Sequence, residues 1–344
     1  YFQKIFVSKL NWLDQTSYAN LISLSQFLPG PGSSQLGFAI GLRQAGLLGG
    51  FAAFIGFTLP SFILLYLLAI NLNSTEQPWV NSVIHGLKLL AVVVVADACL
   101  TMFKSFCNNH TYKLIAFITA IALVIFPLLS TQIVILLITA GFGLLFNPSL
   151  KSISSAPPKH CVPVADTFKV LPLILFLATL IALPLLIRAG LLTEQSELIV
   201  MFNQFYQAGS MVFGGGHVVL PVLQQTIGES ISNDIFLTGY ASAQAVPGPM
   251  FTIATFLGAE LFAQNPLMGA SIATIAVFLP GFLLLIAFES SWQSLAKKTK
   301  VVSAVMAVNA AVVGLLFSAL YHPIFSSAVS SLIELSCVLL GFYL

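Results

Sequence analysis

The chain has 344 residues, of which 58% are hydrophobic and 7% charged, with a formal net charge of +2. A water-soluble domain carries about 25% charged residues and divides its core beyond about 250 residues, so this composition excludes a soluble globular fold and requires a bilayer as solvent. The charge excess falls short of the clustered basic face that a nucleic-acid surface needs; the four cysteines, Cys99, Cys107, Cys161 and Cys337, show neither C-x-x-C spacing nor histidine partners for zinc.

Lipid cannot satisfy a bare backbone, and apolar runs of about 20 residues suit helices rather than short alternating strands. In chain order, spans are predicted over 46–71, 80–103, 112–129, 131–146, 168–190, 267–288, 300–321 and 326–344. The stretches 18–45 and 197–265 are apolar but interrupted by Pro and Gly clusters, the pattern of broken or re-entrant helices buried in protein. Segment 147–166, with four prolines among Ser and Lys, reads as a polar linker between an N-terminal unit 1–146 and a C-terminal unit 167–344.

The two units repeat each other. Gln26 through Pro29-Gly30-Pro31 matches Gln244 through Pro247-Gly248-Pro249, 218 positions on, and Leu59-Pro60-Ser61 matches Leu279-Pro280-Gly281, 220 positions on. Lysine placement then orients the copies. With the linker cytoplasmic, Lys104, Lys113 and Arg43 fall inside and the loop with Glu76 outside, whereas Lys297, Lys298 and Lys300 follow the second copy of the repeated span. The expected fold is therefore an all-α polytopic membrane protein of two inverted-topology repeats, with broken or re-entrant helices at the Pro-Gly-Pro motifs.

Each Pro-Gly-Pro stops one helix and lets another begin, exposing free amides at Gly32, Ser33 and Ser34 in the first copy and at Met250, Phe251 and Thr252 in the second. A helix start behaves as about +0.5 charge and is a ready anion site; the plainer reading is two kinked spans. Gln26 and Gln244 are matched polar groups that could touch a ligand or another helix. Phe213-Gly214-Gly215-Gly216-His217 forms a second break, where three glycines admit close backbone approach and His217 adds a titratable donor or a structural hydrogen bond.

Among buried charges, Lys88 could balance an anion and shares a helix face with His85. Asp97, nine residues from Lys88, falls on the opposite face, and with Glu334 it could relay protons or pair with other helices, whereas Glu260 and Glu289 sit near span ends where solvated roles prevail. Nothing marks an enzyme: H-E-x-x-H, G-x-S-x-G and Walker loops are absent, and no cofactor or metal is indicated.

At Gln26–Pro31, Gln244–Pro249, Phe213–His217 and the two Leu-Pro motifs the chain resembles the chromate ion transporter family, whose duplicated halves carry F-G-G near their start and P-G-P in the next segment. Tyr1-Phe2, Phe6-Val7 and Trp12-Leu13-Asp14 are similar to the stretch after that family's first F-G-G, so the start reads as native with its N-terminal segment incomplete. The resemblance implies proton-linked export of chromate and chromate resistance at a bacterial inner membrane. The expected partners are chromate or a sulfate-like oxyanion, protons and lipid, with a homodimer left open and no nucleic acid. A transporter of sulfate is the nearest alternative, and a membrane scaffold or enzyme the alternative of another class.

Overall fold

The computed structural model describes residues 2–72, 78–146, 169–190, 197–213, 216–296 and 298–343, which form helices joined by short turns, with no strand among them. The predicted linker lies outside the described residues. A π-helix at Gln3–Lys9 precedes α1 (Gln15–Phe27), α2 (Gly32–Leu72), α3 (Pro78–Phe106), α4 (His110–Ile125) and α5 (Leu129–Phe146). Next come α6 (Val170–Arg188), α7 (Glu197–Met211), a 3-10 turn at Gly216–Val218, α8 (Val219–Ile227) and α9 (Asn233–Ala245). A further 3-10 turn at Met250–Thr252 leads to α10 (Ile253–Leu261), α11 (Pro266–Phe288), α12 (Trp292–Leu295), α13 (Thr299–Ala319), α14 (Ser326–Ala328) and α15 (Leu332–Tyr343).

The duplication is visible in helix boundaries. Asp14 caps α1 by accepting from the Ser17 amide at 3.1 Å, and Ser232, 218 positions on, caps α9 through the Ile235 amide at 3.3 Å. The hydrogen bond from Ser17 also holds the Asp14 carboxyl below the ordinary carboxylate range. Each half then folds a hairpin on small residues. In α2 the ladder breaks at Ala45 and Gly46, where the predicted span begins, and a Cβ on Gly41 would stand 2.2 Å from the Gly49 carbonyl oxygen. In the second half a Cβ on Gly258 would stand 2.5 Å from the Gly269 carbonyl oxygen, and Ala53 and Ala273 fill matching places beside the two hairpins.

These contacts settle the direction of the repeated spans. Gln35 donates to Gly281, Phe38 stacks on Phe282 and Arg43 pairs with Glu289, so residues 32–44 run parallel to α11. The long arm of α2 turns back on that segment and is therefore antiparallel to α11, which its own contact from Phe54 to Phe278 and Phe282 accommodates. The two copies of the span thus point opposite ways. Beyond the hairpins, α13 packs on α4 and α5 while α15 packs on α3. A Cβ on Gly314 would meet the Ala116 carbonyl oxygen at 2.2 Å.

The core is apolar, and so is the outside: Leu145 is 80% exposed, Leu137 67% and Leu171 68%. That surface can only face lipid. Five helical stretches, Gly32–Asn71, His85–Phe106, Val170–Arg188, Pro266–Phe288 and Thr299–Ala328, have the length and composition to cross a membrane, and the chain is a multi-pass integral membrane protein. Two predicted spans are shorter than expected, since α4 and α15 have 16 and 12 residues. The α4–α5 turn at Pro127 and a late start for α15 at Leu332 account for the difference.

Candidate functional site

Pro29, Gly30 and Pro31 are buried, and Gly30 has φ +117°, a conformation an L side chain resists. Its N–H donates to the Val212 carbonyl at 2.7 Å, joining the first turn to the end of α7. The first bond of α2 is made by the Gln35 amide to Pro31 at 2.8 Å, so the amides of Gly32, Ser33 and Ser34 precede the ladder as predicted for a helix start. Ser33 is exposed; Ser34 is buried, and its hydroxyl has no hydrogen-bond partner among the described residues.

Gly248 has φ +151°. Pro247 and Gly248 are exposed, whereas Pro249 is buried. Here the new helix does not begin as a plain α-helix: Met250–Thr252 is a 3-10 turn in which Thr252 gives both its amide, at 3.0 Å, and its hydroxyl, at 2.7 Å, to the Pro249 carbonyl. The expected trio of unbonded amides is thereby reduced to Met250 and Phe251, because the tighter turn uses the third. Phe251 is fully buried and Met250 half-buried.

The two turns are bound into the opposite halves by reciprocal contacts. A Cβ on Gly30 would lie 3.0 Å from the Gly281 Cα, and one on Gly248 would lie 2.4 Å from the Ser61 Oγ. Gly30 corresponds to Gly248 and Ser61 to Gly281, so residue i of one half meets residue j of the other and the reverse, the signature of a two-fold relation. Gln35 reinforces the first contact: its Nε2 donates to Pro29 at 2.8 Å and to Gly281 at 3.1 Å, while its buried Oε1 has no partner among the described residues.

The glycine break joins this arrangement. Val212 binds Gly30, and a Cβ on Gly216 would touch Met250 at 3.4 Å, so Val212 meets the first turn and Gly216 the second. Gly214 and Gly215 lie outside the described residues; the backbone of His217 sits in the 3-10 turn that Gly216 opens. Upstream, Gly209 packs against α11, where a Cβ would stand 2.1 Å from the Val277 carbonyl oxygen.

Other residues singled out by sequence lie elsewhere. Gln26 is exposed. Gln244 is half-buried and donates to the buried Tyr240 hydroxyl at 2.9 Å. Lys88 is buried but is not an unpartnered cation: its ammonium is taken by Asp234 in the first turn of α9, and its helix-face neighbour His85 pairs with Glu334 at 2.8 Å. Asp97 is exposed on the opposite face of α3, as its spacing from Lys88 requires. Sequence reasoning missed Gln35, Val212 and Asp234. Ser61 and Gly281 were signalled only by the Leu-Pro repeat, which carries no hint of what they touch.

The profile of the chromate transporter family matches residues 1–145 and 199–344. An uncharacterized transporter of Methanocaldococcus jannaschii is 26% identical over 303 residues, covering 87% of this chain and 72% of the relative. A probable chromate transport protein of Synechococcus elongatus is 26% identical, with 91% and 76% covered, and a chromate transport protein of Pseudomonas aeruginosa is 24% identical, with 90% and 72% covered. No solved structure matches the chain. With two profile matches spanning both halves, and with the family's Pro-Gly-Pro turns each seated against the opposite half, the chain belongs to the chromate transporter family.

Proposed function

We propose that the protein exports chromate across the bacterial inner membrane in exchange for protons and so confers chromate resistance, with the anion held between the two Pro-Gly-Pro turns. The observation that carries the reading is the meeting of three breaks, since Val212 binds Gly30 and Gly216 lies against Met250. Amides at Gly32–Ser34 and at Met250–Phe251 are the donors, and the Ser33 and Ser34 hydroxyls add to them. Two helix starts contribute about +1 between them, half the charge of a tetrahedral dianion. The remainder needs a proton or a cation, because desolvating an unbalanced dianion costs several kcal/mol. Lys88 is engaged with Asp234, which leaves His217, next to Gly216 in the chain, as the candidate at the site. The names of the Synechococcus and Pseudomonas relatives support chromate as cargo; export and resistance follow from the family resemblance.

Proteoliposomes loaded with labelled chromate, and in parallel with labelled sulfate, test the reading under an imposed pH gradient. Chromate efflux that follows the gradient is the expected result. Sulfate flux without chromate flux would replace the cargo, and neither flux would leave a membrane scaffold.

A further inference from the structure

A break in the second half has no counterpart in the first. After α13 the chain continues as a π-helix at Leu320–Phe325, and within it His322 leaves helical geometry at φ −134°, ψ +119°. Pro323 is the local cause, since the residue before a proline is pushed into the extended region and the proline offers no N–H. The position that α3 places opposite, 221 residues earlier, is Thr101, which lies in unbroken helix. The duplicated architecture therefore does not require the break, although it falls inside the apolar stretch Thr299–Ala328.

His322 lines a cavity of about 210 Å³ between α4, α8 and α13, whose walls also include Leu123, Gln224, Gln225 and Ser318. The Gln225 Oε1 is buried and has no hydrogen-bond partner among the described residues. A space of this size with four polar side chains can hold several waters. The His322 Nδ1 lies 3.0 Å from the Ser326 Oγ, which fixes the ring and leaves Nε2 for exchange.

We propose that this cavity is the proton-exchange site of the transporter and that His322 is the group that takes up and releases the transported proton. The proposal rests on the proton-coupled reading above. Its step is a simple transfer: Nε2 binds a proton from a hydronium ion, which becomes water, and later returns it to water on the other side of the cycle. His322 is the titratable side chain of the lining among the described residues. On the elements packed around it, α3 brings His85 and Lys88, paired with Glu334 and Asp234, and exposed Asp97 and Lys104. From α4 come His110, Lys113 and the buried Tyr112, and from α13 comes exposed Lys300; α8 and α14 bring no titratable group.

Chromate efflux from proteoliposomes, followed from about pH 5.5 to about pH 8 on each side in turn, brackets the ordinary histidine range. The wild-type rate is expected to change about tenfold across that range and the His322→Gln rate to stay flat, while His217→Gln, which removes a charge that the bound dianion holds constant, lowers the rate and keeps the wild-type pH profile. A wild-type rate indifferent to pH overturns the coupling reading and this assignment with it. A normal wild-type profile that His322→Gln also shows, or that His217→Gln alone abolishes, overturns the assignment and leaves the coupling intact. Nitrogen NMR of the imidazoles gives an independent check on the unaltered protein, where a His322 that keeps one protonation state across the range likewise overturns the proposal.

Discussion

The two Pro-Gly-Pro turns carry the same three residues and press on matched positions, yet they are held differently. The first is buried and receives a backbone carbonyl from Val212 and a bridging amide from Gln35. The second is partly exposed, its Gly248 facing a serine side chain rather than a glycine backbone. Its helix, α9, is instead tied to α3 by the Lys88–Asp234 ion pair, whose counterparts in the opposite halves, Asn309 and Thr16, are uncharged. A duplicated motif has thus become one turn hydrogen-bonded to other elements and one whose hydrogen bonds are local and which meets the opposite half through a charge pair and a serine side chain. An alternating-access cycle would move the second turn more readily than the first.

Substitutions at the glycines give the largest expected effects and break the comparison most sharply. Gly30→Ala meets the Gln35 Nε2 and the Gly281 Cα, both at 3.0 Å, and a strained φ together, and is expected to cost about 3 kcal/mol, which trimming Gln35 does not recover while the Gly281 backbone stays in place. Gly248→Ala collides with the Ser61 Oγ, so adding Ser61→Gly should recover part of the loss, on the order of 1 kcal/mol. Thermal unfolding of detergent-purified variants reads both, and equal rescue of the two turns would remove the distinction.

Next in size is the ion pair. The Lys88 side chain is 8% exposed and that of Asp234 79%. Asp234→Ala strands a buried ammonium and should cost about 3 kcal/mol, whereas Lys88→Met leaves a carboxylate at the surface and should cost less than about 1 kcal/mol. Equal losses in the same unfolding measurement would mean that the pair stabilises the fold as a unit.

Gln35→Leu comes third, removing the donor shared by the Pro29 and Gly281 carbonyls. About 2 kcal/mol of destabilisation is expected in urea or heat, with a matching loss of chromate flux. The smallest effects belong to the matched glutamines. Gln244→Ala should cost about 1 kcal/mol through its lost bond to Tyr240, and exposed Gln26→Ala less than about 0.5 kcal/mol.

These contrasts also mark what sequence could carry. Proline and glycine act through their own backbone, so both turns, the hairpin break at Ala45–Gly46 and the repeat were legible, and opposed lysines gave the direction of the repeated spans. Gln26 and Gln244 look equivalent in sequence but differ in burial, because neighbours from other elements decide that. The partners of Lys88 and Gln35 lie 146 and 246 residues away, and no periodicity announces a contact across halves. His322 was readable as the residue before Pro323, yet a span predicted to close at 321 put it in a loop rather than against a cavity.

The central claim is that one anion sits between the two turns, and chromium itself reports it. An anomalous difference map at the chromium absorption edge, from crystals of the protein grown with chromate, should show one peak between the helix starts at Gly32–Ser34 and Met250–Phe251, beside Gly216. A single well-occupied peak elsewhere in the membrane region, with both turns empty, would contradict the account.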